Sequence, residues 1–93
     1  MGLFDTELDE ELDLAEDQET TKKLIVYNDD YNTFMHVIIC LMKYCGMETD
    51  TAKEHTLEIH EKGLSVVKDG SRQELNPIKR ALNESGLTAK IED

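Results

Sequence analysis

The stretch that most constrains this chain is Tyr27-Asn28-Asp29-Asp30-Tyr31. An apolar run, Leu24-Ile25-Val26-Tyr27, stops at it, and a nearly apolar stretch from Phe34 to Cys45 begins just after it. Asn and Asp side chains hydrogen-bond to nearby backbone, so they suit turns better than strands or helix interiors. A strand must therefore end and a helix must begin around these five residues. A turn needs one or two such residues. Here an amide and two adjacent carboxylates sit together, with no Lys or Arg between Lys23 and Lys43. One reading is a capping turn whose spare charge faces water. The other is a set of acceptors for a cationic ligand.

Charge is unevenly distributed. The net charge is −11, yet residues 1–21 hold nine acids and no base. Residues 22–93 hold twelve acids against ten bases, so their own balance is ordinary. Like-charge repulsion opposes a stable helix in the first segment, despite Leu8 and Leu12 at i,i+4. It reads as a disordered acidic arm, either solubilising or docking on a partner. Residues 22–93 read as one small domain. Phosphate binding needs clustered Lys and Arg, so nucleic acid is disfavoured as a partner. No apolar stretch reaches membrane-spanning length. Cys40 and Cys45 stand five positions apart on one expected helix and point to different faces, which fits a reducing, cytoplasmic setting.

The pattern predicts a strand over Lys22–Tyr27 and a helix from about Phe34 to Cys45, capped by Asn32 or Thr33 and stopped by Gly46. Phe34, Val37, Ile38, Leu41 and Cys45 form one stripe on that helix, and Met35, Ile39 and Met42 a second. So small a domain cannot bury both. The surplus face meets another helix or walls an apolar site. A second helix is expected from about Asp50 to Lys62, with Thr51 and Glu54 at capping-box spacing and Gly63 as its stop. Ala52, Thr56, Ile59 and Gly63 share one side of it, and His60 sits on its last turn. The short link makes the two helices an antiparallel hairpin. Leu64–Lys68 reads as a strand and Asp69-Gly70 as a turn. The third helix either starts near Ser71 and distorts at Pro77, the preferred reading, or splits there into a single turn and a main helix. Gly86 ends it, and Leu87–Glu92 alternates as a last strand. The order β-α-α-β-α-β gives an α+β fold: a two-layer sandwich of a three-stranded sheet and three helices, with strand pairing left open.

No Cys-x-x-Cys or His-Glu-x-x-His pattern supports a metal site, and no Gly-rich loop supports a phosphate site. The cysteines sit mid-helix in apolar sequence, as small core residues do. Neither catalysis nor a cofactor is expected. What remains is binding. The helical hairpin can bring Asn28, Asp29, Asp30, His60 and the apolar face of the first helix together. Such a site would hold a group cationic at one end and apolar at the other. A free peptide N-terminus with a bulky first side chain fits that description.

At these residues the chain resembles a known family. The run Leu24-Ile25-Val26-Tyr27-Asn28-Asp29-Asp30-Tyr31-Asn32-Thr33, followed by Glu58-Ile59-His60-Glu61-Lys62-Gly63, is similar to ClpS, the adaptor of the bacterial Clp protease. The likeness covers about residues 22–92 and includes the ending Gly86 to Glu92. It implies an adaptor that binds substrates by a bulky apolar N-terminal residue and delivers them to a Clp AAA+ unfoldase, ClpA-like, coupled to ClpP. It implies that Asn28, Asp30 and His60, with Asp29 adjacent, ligate the α-amino group and first backbone atoms. Asn32, Phe34, Val37, Thr56, Ile59 and Leu87 would line the side-chain pocket, and the arm would engage the unfoldase. Asn32-Thr33-Phe34 stands where better-known members carry Thr-Pro-Met, which implies a shifted range of accepted residues. The adaptor is expected to act as a monomer without enzymatic activity. The competing expectation is an interaction domain that docks on a partner helix and ignores N-termini.

Overall fold

The computed structural model describes residues 21–93, so the expected arm over residues 1–21 lies, but for Thr21, outside them. Within them the order is β1 (Lys22–Tyr27), α1 (Phe34–Cys45), α2 (Thr49–Lys62), β2 (Leu64–Gly70), α3 (Arg72–Glu84) and β3 (Thr88–Glu92). The sheet is antiparallel throughout, in the order β2-β1-β3. The pairing left open by the sequence is thus settled by two antiparallel ladders on one central strand. That position explains the unbroken apolar run of β1: Leu24, Ile25 and Val26 are all buried.

Leu24 and Val26 point into one core with Val37, Ile38, Leu41, Ile59, Leu75, Leu82 and Ala89, so the helices and sheet form two layers. Leu24, Leu41, Leu75 and Leu82 are completely shielded from solvent. Each such burial stabilises by about 1.5–3 kcal/mol. One core-facing position on β2 is polar. Ser65 is buried, donates its hydroxyl proton to Glu58, and accepts from His55 Nδ1 at 2.8 Å. Those bonds seat α2 on β2 without an unsatisfied hydroxyl.

Local chemistry sets the helix ends. Thr33 caps α1, its hydroxyl oxygen accepting from the His36 N–H at 3.1 Å. α2 begins at Thr49 behind Glu48, so the expected Thr51–Glu54 box does not form and Thr51 lies inside the helix. Ser71 and Glu74 do form a reciprocal capping box on α3. That helix runs through Pro77 without a break in assignment. Pro77 leaves only the Gln73 carbonyl without its helical donor, and both residues face solvent, while Leu75 and Leu82 anchor the helix to the core. β2 continues to Gly70, two residues past its expected end, because Lys22 and Lys23 pair with Gly70 and Asp69.

Register places the site. Tyr27, the last residue of β1, pairs with Leu64, the first of β2, and with Thr88, the first of β3. The loop after β1, the end of α2 and the turn after α3 therefore meet at one edge of the sheet.

Candidate functional site

The three segments are joined by hydrogen bonds. The Asn28 N–H donates to the Gly63 carbonyl at 2.9 Å. Gly63 closes α2 with φ of 92°, a conformation that an L side chain strains to adopt, and its own N–H returns to the Ile59 carbonyl at 2.9 Å. This clamp sets the last turn of α2, with His60 on it, beside the loop that follows β1.

Asp29 and Asp30 are adjacent in sequence and opposite in behaviour. Asp29 Oδ1 accepts from the backbone N–H groups of Tyr31 and Asn32, each at 2.9 Å. Its Oδ2 accepts from Asn32 Nδ2 at 2.7 Å. Partial burial pushes its carboxyl up, but these three hydrogen bonds, with His36 nearby, outweigh it and leave the pKa below that of an ordinary aspartate. The side chains of Asn28, Asp30 and His60 have no hydrogen-bond partner among the described residues, and all three residues are exposed.

One cavity of about 320 Å³ is lined by Asn28, Asp29, Asp30, Asn32, Phe34, Val37, Thr56, Ile59 and His60. Its wall is apolar where Val37 and Ile59, both buried, turn inward from α1 and α2. Thr56 is 3% exposed, and its hydroxyl donates to the Ala52 carbonyl at 2.7 Å, so its polar demand is met within the helix. Phe34 remains 45% exposed. No Lys or Arg lines the cavity. Nine of the ten expected site residues thus share one cavity. Leu87 lines an adjoining space of about 20 Å³ together with Asn28, Asp29, Asn32, Val37 and Ile59.

The first stripe of α1, through Phe34 and Val37, walls the cavity, whereas the second, Met35, Ile39 and Met42, does not line it and stays open to solvent, contrary to the expectation for the surplus face. The Asn28–Gly63 clamp, and the hydrogen bond that the Asn32 side-chain amide donates to the Gly86 carbonyl at 2.8 Å, escape a reading of side-chain types. Both use backbone carbonyls, which carry no sequence signature.

Other chemistries find little here. Burial pushes the Cys40 thiol up and that of Cys45 to about 11, so both stay protonated at neutral pH. His36, 3.6 Å from the Cys40 sulfur, donates from Nε2 to the Ser85 carbonyl at 2.8 Å. Among the described residues no group of three or more His, Cys, Asp or Glu is placed to hold a metal ion. No described helix is long and apolar enough to cross a membrane.

The Asp29 geometry carries a prediction. Its folded-state pKa lies below the unfolded one, so its stabilising contribution is complete above the ordinary carboxylate value of about 3.9 and is lost as pH falls through the lower folded value. In a carbon-detected titration Asp29 should have its midpoint below about 3.9. Denaturant midpoints followed from neutral pH into acid should fall further in the unmodified chain than in Asp29→Asn.

Comparisons with known proteins show the family and the fold. A family model described as ATP-dependent Clp protease adaptor protein ClpS matches residues 17–90. The ClpS adapter protein of Synechocystis sp. is 45% identical over 67 residues, covering 71% of this chain and 68% of the relative. That of Streptomyces coelicolor is 30% identical over 92 residues, covering 99% of this chain and 96% of the relative. The solved structure of Agrobacterium tumefaciens ClpS2 bound to L-phenylalaninamide is similar with a TM-score of 0.67 and 24% identity, covering 77% of this chain and 94% of that one. At that identity the structural likeness is one of fold.

Proposed function

The chain belongs to the ClpS family of Clp protease adaptor proteins, and on that premise we propose that its cavity captures the free N-terminal residue of proteins marked for degradation. One observation carries the reading. A carboxylate with no partner among the described residues, Asp30, shares a cavity with an apolar wall formed by Val37, Ile59 and Phe34. The peptide ammonium is held by the Asp30 carboxylate and the Asn28 side-chain oxygen through charge-assisted hydrogen bonds. His60 supplies a further ring nitrogen to the amine or to the first peptide group. The first side chain enters between Phe34, Val37, Thr56 and Ile59. A volume of about 320 Å³ is of the size that small ligands occupy. The neighbouring ClpS2 ligand, L-phenylalaninamide, combines a free amine with a bulky apolar side chain, which supports the same pairing.

Asp29 has a different part in this reading. Its acceptors are taken by Tyr31 and Asn32, so it shapes the loop and adds negative potential. Residues 22–93 form the adaptor domain. Substrates pass to a ClpA-like unfoldase working with ClpP, and the acidic arm over residues 1–21 engages that unfoldase. The adaptor works as a monomer and catalyses nothing itself.

The open stripe of Met35, Ile39 and Met42 favours a second reading, docking on a partner helix without reading N-termini. Chemical-shift mapping separates the two. Adding a Phe-initiated peptide should move the amide resonances of Asn28, Asp30, Val37, Ile59 and His60. Shifts confined to Met35, Ile39 and Met42 would overturn the capture reading.

A further inference from the structure

Asn32 is bonded out of proportion to its place in a loop. Its backbone N–H donates to Asp29 Oδ1 at 2.9 Å. Its side-chain amide donates to Asp29 Oδ2 at 2.7 Å and to the Gly86 carbonyl at 2.8 Å. Both amide hydrogens are therefore committed, one on each side of a gap between segments 54 positions apart in sequence. Gly86 suits this contact. Its φ of 99° disfavours any other residue, and a Cβ there would stand 3.4 Å from Asn32 Oδ1. The next residue, Leu87, is 4% exposed and lines the small adjoining space.

Asn32 also lines both cavities, the open one of about 320 Å³ and the inner one of about 20 Å³. Asn28, Asp29, Val37 and Ile59 share that property, yet among the residues lining both, Asn32 alone has a hydrogen bond to the turn that carries Leu87. The inner space has room for about one water molecule. Its side-chain amide, held from both sides, thus borders both spaces.

We propose that Asn32 is a specificity-determining residue that bolts the pocket shut at its inner end and so sets its depth. The inference rests on the reading that the cavity takes an N-terminal side chain. With the bolt closed, a side chain stops at Val37, Thr56 and Ile59. Single-ring and branched side chains are accommodated, and the two-ring indole of Trp is bound less tightly than they are. With the bolt removed, the inner space joins the pocket and the largest side chain gains most.

The test is calorimetric titration of Trp-, Phe- and Leu-initiated peptides, each beside its N-acetylated twin, into the full chain and Asn32→Ala. The expected result is a rise of about tenfold in the Trp-to-Leu affinity ratio, the scale on which pocket size discriminates. A purely structural role would lower all three affinities together. A ratio unchanged by the substitution, with the free amine still required, overturns the bolt and leaves the capture reading standing. Equal binding of free and acetylated peptides to the unmodified chain overturns the capture reading itself. If Asn32→Ala does not fold, Asn32→Ser, too short to reach Gly86, takes its place. In the unmodified chain the two Asn32 side-chain amide protons should be separately resolved and slow to exchange; fast exchange of both would also contradict the bolt.

Discussion

Asp30→Ala is expected to weaken binding of a Phe-initiated peptide by about ten- to hundredfold. A hydrogen bond to a charged group contributes about 1.5–3 kcal/mol, and each 1.4 kcal/mol is a factor of ten. The substitution removes the carboxylate that no other group in the described chain engages. Nothing in the fold depends on it, so the unfolding midpoint should hardly move. His60→Ala should likewise lose most of the binding, since it strips the α2 side of the site. Asp29→Ala should behave differently. It removes the acceptor of three loop hydrogen bonds, so stability and affinity should fall together. Calorimetric titration with a parallel denaturant melt separates these patterns. Unchanged affinity in both Asp30→Ala and His60→Ala would refute the assignment of the ammonium site.

Leu41→Ala should destabilise the domain by about 2–5 kcal/mol. Leu41 is completely shielded in the middle of α1 and belongs to the core that α1 shares with the sheet. A domain of this size has a total stability of roughly 4–10 kcal/mol. One cavity-forming substitution thus removes a large share of it. The thermal midpoint should fall by roughly 8–40 °C, given about 4–8 °C per kcal/mol for a small domain. Met35→Ala, on the same helix but 61% exposed, should change it little. A Leu41→Ala midpoint as high as that of Met35→Ala would mean that α1 does not hold the core as described.

Much of the fold was legible because its signals are local. The apolar run Leu24–Tyr27, the acidic turn after it and Gly46 bounded β1 and α1, and the residues given for those elements are the ones found. Ser71 and Glu74 announced a capping box that forms. Signals that depend on tertiary context were harder to read. Thr51 and Glu54 have the same spacing, but α2 starts earlier at Thr49, so their pattern falls inside a helix. Pro77 left a single helix distorted there and a divided one both open; α3 is the single helix, capped by Ser71, with the missing hydrogen bond on its solvent side and two buried leucines holding it. The strand order depends on long-range pairing that no local pattern encodes.

The site divides along the same line. Side-chain types at Asn28, Asp30 and His60 pointed to an ammonium site, and the structure brings those residues into one cavity. The different environments of Asp29 and Asp30 were not visible in two identical side chains standing next to each other. That difference arises from backbone N–H directions at Tyr31 and Asn32. The same holds for Leu87, which lines the small adjoining space and not the main cavity.

The central claim is that the cavity reads a free α-amino group joined to a bulky first side chain. Its most direct test is titration of a Phe-initiated peptide against the same peptide acetylated at its N-terminus. Acetylation keeps the ring and removes only the positive charge and its donors. Saturable binding of the free peptide, with loss of most of that affinity in the acetylated one, is the predicted result. Equal affinity for the two would contradict it.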